Sequence, residues 1–545
     1  MSPSLILHGG YVWRGAKLRP AAGIAIEGGK ILAVGSDDEV LALASSRTQR
    51  LPVRGRLVTP GLIDSHIHML AFGIGLSEID LRECTRLDDV LDIIRKRVAE
   101  TSPGRWIKTR AHDDQRLDVR RHPTLQELDQ IAPDNPLVMI RACGHVWVCN
   151  SRALALAGID EHTPVPSGGV IERRDGRLTG LIAETTRELV KAAQPQRSRD
   201  DLKDGILRGA RYLSERGITG VMEAGVGRMT ASIEEFRAFQ DLARSRTLPM
   251  RVNMAITAGE NGIIDQVLAE GFRFGDGNDL AWIGPAKLHT DGSAGGRTAA
   301  MSLPYHGEGC TCGVLIYDDA EFAQKVIRHH RNGFQVAVHA IGDRAIEQTI
   351  AAFERADAVQ PVMGRRHRIE HCGFPTPAQT ARMVRLGLLP SPQPIFMHDF
   401  GDAYRELLGE QRAAAGYPMR SWLAAGLTAP MGTDAPVSRP DPLTNLYAAV
   451  TRRTRTDAEL GVDERIDIEA ALSCYTAAGA YAQHTERLRG AITPGMDADL
   501  AVFSRNFVQE DAASTLRLTQ CDLTFLGGKL VHDRLDEVRA QNDSM

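Results

Sequence analysis

The stretch Thr59-Pro60-Gly61-Leu62-Ile63-Asp64-Ser65-His66-Ile67-His68 decides how the rest of the chain is read. The apolar run ending at Ile63 predicts a buried strand stopped by polar residues. Side chains alternate faces along a strand, so His66 and His68 point the same way. Two imidazoles on one face at a strand end can hold a single metal ion, and His is the commonest metal ligand. Taken alone, the pair reads equally well as two surface histidines, and partners elsewhere must decide.

Working outward, residues 5–58 read as short strands broken at Gly9-Gly10 and Gly28-Gly29. The far end echoes them in two apolar runs, 497–503 and 522–531. Both termini are therefore expected to build one small β-sandwich, from 1–58 and 486–545. Between them strands and helices alternate over 59–485, the pattern of a parallel α/β fold. Further strands are expected at 217–223, 250–255, 282–288, 335–339, 368–371, 388–391 and 429–434, giving a (β/α)8 TIM-like barrel. Residues from about 75 to 200 do not alternate cleanly and are too long for a barrel loop, so they are expected to form an inserted subdomain after the first barrel strand.

Composition narrows the classes. At 545 residues the chain exceeds one ordinary core. A net charge of -4 with no basic block argues against nucleic acid. No apolar run approaches bilayer-spanning length, and the first residues lack a basic start and apolar core, so neither membrane nor signal peptide is expected. The eight cysteines are scattered with no CxxC pair; reduced thiols in a cytoplasmic protein are the simplest account. Cys310-Thr311-Cys312 lacks the second thiol pair of a soft-metal site. A small-molecule substrate is expected, and a homodimer is the base expectation for a soluble chain.

Polar residues fall at the ends of the expected strands: His66 and His68 after the first, Lys287 at the fourth, His339 at the fifth, His371 at the sixth and Asp434 at the eighth. Strand C-termini of such a barrel converge on one face, where active sites sit. Separately, His339 and His371 read as hydrogen-bonded core residues, Asp434 as a helix cap and Lys287 as a solvated charge. Together they read as a metal site whose N/O ligands suit zinc, with iron, nickel or manganese as alternatives. Weaker candidates for substrate contact are His145, His289 and Arg297. Asp291 reads as a turn former, Asp343 as a helix cap, and Glu223 as a residue at the end of the second strand.

These motifs, with Lys287-Leu288-His289-Thr290-Asp291-Gly292, His339-Ala340-Ile341-Gly342-Asp343, Gly432-Thr433-Asp434-Ala435-Pro436 and Pro494-Gly495-Met496-Asp497-Ala498-Asp499, give the chain a resemblance to the amidohydrolase superfamily. The branch it resembles is the YtcJ-like one, amidohydrolase family 3, which includes N-substituted formamide deformylase. The resemblance implies His66, His68 and Asp434 at one divalent metal and His339 and His371 at a second. It implies two zinc ions bridged by a carboxylated Lys287, carboxylation turning a cation into an anionic oxygen ligand. The implied reaction is hydrolysis of a C–N bond of amide, formamide or carbamate type, with Asp434 as general acid/base. Two departures stand out: His289 where an apolar or aromatic residue is more usual, and His112-Asp113-Asp114 where a Gly-Trp pattern is common.

Two rival functions are weighed. A single-metal deaminase of an aromatic amine usually places Glu shortly after the fifth-strand His, and here Ala340-Ile341-Gly342-Asp343 follows. A non-catalytic scaffold would shed ligands that this chain retains. No G-x-S-x-G, H-E-x-x-H or G-x-x-x-x-G-K-[ST] motif occurs.

Overall fold

The computed structural model describes residues 2–15, 18–141, 146–166, 168–307 and 311–535. The chain separates into two compact units, Met1–Gly73 with Arg199–Met545, and Ile74–Ser198.

In the first unit, strands from both chain ends share one eight-stranded sheet. From the C-terminal region, Cys521–Leu526 pairs with Leu500–Phe503, which runs beside Leu57–Pro60, which in turn pairs with Leu5–Trp13. Its core gathers Leu7, Ile24, Val58, Val502 and Phe525. A single residue, Gly61, separates Leu57–Pro60 from the first barrel strand.

The barrel sheet contains seven parallel strands in sequence order: Leu62–Ile67, Ile218–Val226, Arg251–Thr257, Ala281–His289, Val336–Ala340, Arg368–His371 and Leu389–Ser391. They are buried on both faces, as parallel strands flanked by helices must be. The eighth strand expected at 429–434 does not form. Pro430 has no N–H to give to a ladder, and Asp434 takes a left-handed φ of 55° that ends any extended run. Single backbone bonds close the ring instead. Ser65 N donates to Met431 O at 2.9 Å, Asp434 N to His66 O at 2.7 Å, and Gly432 N to Pro392 O at 3.1 Å. A Cβ on Gly432 would lie 2.5 Å from His66 N, so only glycine lets this segment approach the first strand.

Arg251, first residue of the third barrel strand, ties barrel to terminal sheet. Its Nε and Nη2 reach the two carboxylate oxygens of Asp499 at 2.6 and 3.0 Å, and both side chains are buried.

The second unit holds a six-stranded sheet, in the order Gly169–Arg174, Arg177–Glu184, Val146–Cys149, Leu137–Arg141, Ile107–His112 and Ile79–Asp80. Helix Leu125–Ile131 opens with a capping box between Thr124 and Glu127 and buries Leu128 and Ile131. Within His112-Asp113-Asp114, Asp114 is held by Arg141 Nε at 2.6 Å, and His112 Nε2 meets His122 Nδ1 at 3.1 Å.

Candidate metal centre

His66 lies on the first barrel strand and His68 just past it, Lys287 near the end of the fourth, and His339 and His371 near the ends of the fifth and sixth. Asp434 lies on the segment that closes the ring. All six line one cavity of about 820 Å³. Among the described residues, His66, His371 and Asp434 each offer a donor atom within 4.8 Å of the others. His68 Nε2 stands 3.4 Å from Asp434 Oδ1, and His66 Nε2 3.5 Å from the same oxygen. The His339 and His371 rings are 4.5 Å apart between centroids. His371 and Asp434 both adopt left-handed backbone, with φ of 67° and 55°. Such strain in non-glycine residues persists where surrounding structure enforces it and clusters at functional sites.

A supporting layer fixes which nitrogen of each ring is free. Glu370 Oε2 meets His66 Nδ1 at 2.5 Å, and Arg368 holds Glu370 Oε1 at 2.6 Å. Burial pushes the Glu370 carboxyl up, but Arg368 and then Lys287 outweigh it and hold it below its ordinary range. An ionised Glu370 therefore accepts the Nδ1 proton, and the His66 lone pair is left on Nε2. Gln393 Oε1 accepts from His371 Nδ1 at 2.7 Å, which again frees Nε2. The Gly292 carbonyl lies 2.9 Å from His339 Nε2, so this ring carries its lone pair on Nδ1. Burial, followed by the Lys287 charge, holds His66 well below the usual imidazole range; burial takes His68 and His339 to about 3. All are neutral at pH 7, the state that binds a cation.

Lys287 Nζ and Asp434 Oδ1 are buried and have no hydrogen-bond partner. Burial lowers the lysine and raises the aspartate, each away from its charged form. Unpaired buried groups of this kind are rare, because each costs the full desolvation penalty. Imidazole lone pairs and a carboxylate facing one another are a fitting donor set for a divalent cation.

The weaker candidates divide. His289 lines the cavity, stacks on His339 at 5.2 Å and accepts from Arg228 at 2.7 Å. Arg297 is not among the lining residues, and its guanidinium lies against Gly307. His145 lies outside the described residues. Glu223 lines the cavity, and burial pushes it up to about 8. Asp291 does more than shape a turn: it accepts from the backbone N–H of Ala300, Ile341 and Gly342, binding two loops together. Asp343 is the first residue of its helix, with Gly342 as the cap.

Sequence reasoning missed Glu370, Gln393, Arg228 and Asp64. Asp64 accepts from the Thr433 hydroxyl at 2.7 Å and so fixes the segment that presents Asp434. Strand alternation was the available signal for Glu370, since Arg368 and Glu370 share a face. Gln393 and Arg228 lie beyond strand ends, where no periodicity points.

A parallel barrel with imidazoles, a lysine and a carboxylate gathered at its strand ends is the architecture of a metal-dependent barrel protein. The chain belongs to the amidohydrolase family, whose sequence model matches residues 53–532. It is similar to the protein YtcJ of Bacillus subtilis, 26% identical over 535 residues, covering 97% of this chain and 99% of that one. N-substituted formamide deformylase of Arthrobacter pascens is 28% identical over 546 residues, covering 94% of this chain and 95% of that one. A solved metal-dependent hydrolase from Pyrococcus horikoshii superposes with a TM-score of 0.76 at 26% identity, covering 93% of this chain and 99% of that one.

Proposed function

We propose that this protein hydrolyses a C–N bond of amide, formamide or carbamate type in a small molecule. His66, His68 and Asp434 would hold one divalent cation, zinc by donor chemistry, and His339 and His371 a second. Lys287, as a carbamate, would bridge them. A bound divalent cation supplies Lewis acidity, bringing the pKa of water to about 7 and polarising a carbonyl.

The remaining work falls to the chain. Burial keeps part of the Lys287 amine unprotonated near neutrality. In that form it adds to carbon dioxide, forming one N–C bond and releasing one proton. Asp434 Oδ1 takes the proton of the attacking water and returns it to the amine as the C–N bond breaks. Glu370 and Gln393 keep His66 and His371 in the tautomers that leave Nε2 free. Arg368, buried between Glu370, Ser391 and the Ser65 carbonyl, keeps Glu370 ionised. The same reading takes 1–58 with 486–545 as a composite β domain, 59–485 as the catalytic barrel and about 75–200 as its insert.

The observation that carries the reading is the pair of partnerless buried atoms, Lys287 Nζ and Asp434 Oδ1, inside a ring of neutral imidazoles. The similarity to the Arthrobacter pascens deformylase favours formamides within the class. The test is a hydrolysis screen over N-formyl and N-acyl amines with metal analysis of the same preparation. About two ions per chain, activity abolished by a chelator and restored by zinc are expected. One ion with ammonia release from aromatic amines would favour a deaminase; a metal-free chain without turnover would leave a scaffold.

A further inference from the structure

The sequence offered Arg297 as a weak candidate for substrate contact, but the arginine on the cavity wall is Arg228. Its Nη1 donates to His289 Nε2 at 2.7 Å. A guanidinium has only donors, so His289 is neutral with its proton on Nδ1, and four of the five Arg228 N–H groups remain unspent on this contact. His289 in turn stacks on His339, so Arg228 is referenced to the metal-ligand set through one intervening ring.

The cavity carboxylates are engaged elsewhere. Glu223 accepts from Leu70 N, Glu235 from Gly227 N and Thr230, and Asp291 from three backbone N–H groups. With Lys287 and Asp434 assigned to the cation site, Arg228 is the cavity charge that no carboxylate among the described residues pairs. The rest of the wall is mostly apolar, with Phe396, Phe400 and Tyr404 along it. A volume of about 820 Å³ suits a molecule larger than a bare formamide.

Resting on the hydrolase reading above, we propose that Arg228, positioned by His289, selects N-acyl amines that carry a carboxylate beside the scissile nitrogen and an aromatic body, that is, N-acylated aromatic amino acids. The guanidinium would take the carboxylate, a charge-assisted pairing that is bidentate where geometry allows. The aromatic side chain would lie on the Phe396–Tyr404 wall.

A matched pair of probes isolates the carboxylate: N-formylphenylalanine, each enantiomer separately, against N-formylphenethylamine. In the zinc-loaded wild-type enzyme, kcat/KM is expected to favour one enantiomer of the acid by about 10- to 100-fold, the scale of a hydrogen bond to a charged group. In Arg228→Gln that ratio should collapse toward one, chiefly through KM of the acid. Arg228→Lys should retain part of it. Turnover of the neutral formamide without preference for the acid, or an unchanged ratio in Arg228→Gln, overturns the proposal and leaves the hydrolase reading standing. If neither formamide is turned over, calorimetric binding of 3-phenylpropanoate decides. Binding at least tenfold tighter to wild type than to Arg228→Gln supports the anion subsite although the hydrolase reading has failed, and equal binding overturns it.

Discussion

Two buried charge clusters lie toward opposite ends of the barrel strands, and they are completed differently. At the start of the third strand, Arg251 meets both oxygens of Asp499 and gives another N–H to the Asp279 carbonyl at 2.9 Å. At the far end of the fourth strand, Lys287 Nζ has no partner, and across the ring neither does Asp434 Oδ1. Leaving a buried charge unpaired costs several kcal/mol. Arg251 is bonded through all three of its nitrogens, whereas Lys287 is bonded through none; on the proposed reading the second is kept for a ligand. The lesson is that burial of a charge does not by itself separate architecture from chemistry, whereas the pairing of the charged group at the centre of each cluster does.

The contrast is broken most forcefully at Asp434. Asp434→Asn should lower kcat by ~10²–10⁴-fold while the circular dichroism spectrum stays that of the wild type. Near-normal turnover would remove Asp434 from proton transfer. At the closed cluster the effect should invert. Asp499→Ala removes the two-oxygen buried partner of Arg251 and is expected to cost about 3–5 kcal/mol in urea unfolding. A loss within error of zero would mean that Asp497, whose Oδ2 lies 3.4 Å from Arg251 Nη2, and Asp279, whose Oδ2 lies 3.4 Å from Nη1, carry the pairing between them.

An effect spread over a pH range, and not read at a single condition, is expected at Glu223 on the cavity wall. It is buried, accepts from Leu70 N at 3.1 Å, and burial moves it from 4.5 to about 8. Between those values the folded chain keeps a proton that the unfolded chain has released, so stability falls as pH rises through this window. Glu223→Gln escapes that loss. Its melting temperature relative to wild type should climb from pH 4.5 to 8 and stay level below. A gap independent of pH would show that Glu223 titrates as an ordinary carboxylate.

The sequence made strand-borne features legible and loop-borne ones obscure. His66 and His68 could be paired because period-two geometry puts them on one face, His339 because it follows an apolar run, and His371 because it closes an expected strand. The last barrel strand failed as an expectation because apolar character at 429–431 says nothing of Pro430's missing donor or of the backbone turn at Asp434. Arg297 and Arg228 lie in equally polar, glycine-rich loops, and nothing in composition tells which folds over the cavity. Glu370 was visible as a residue, but its bond to His66 joins positions 304 apart in the chain, a contact no local pattern encodes.

The segment 430–434 seals the ring through a handful of main-chain bonds and also places the Asp434 carboxylate in the cavity. On the proposed reading, mechanical closure and proton delivery are thus one object. Grafting or lengthening there would change both at once, so efforts to redirect specificity belong on the loop carrying Arg228, which can be rebuilt without reopening the seam.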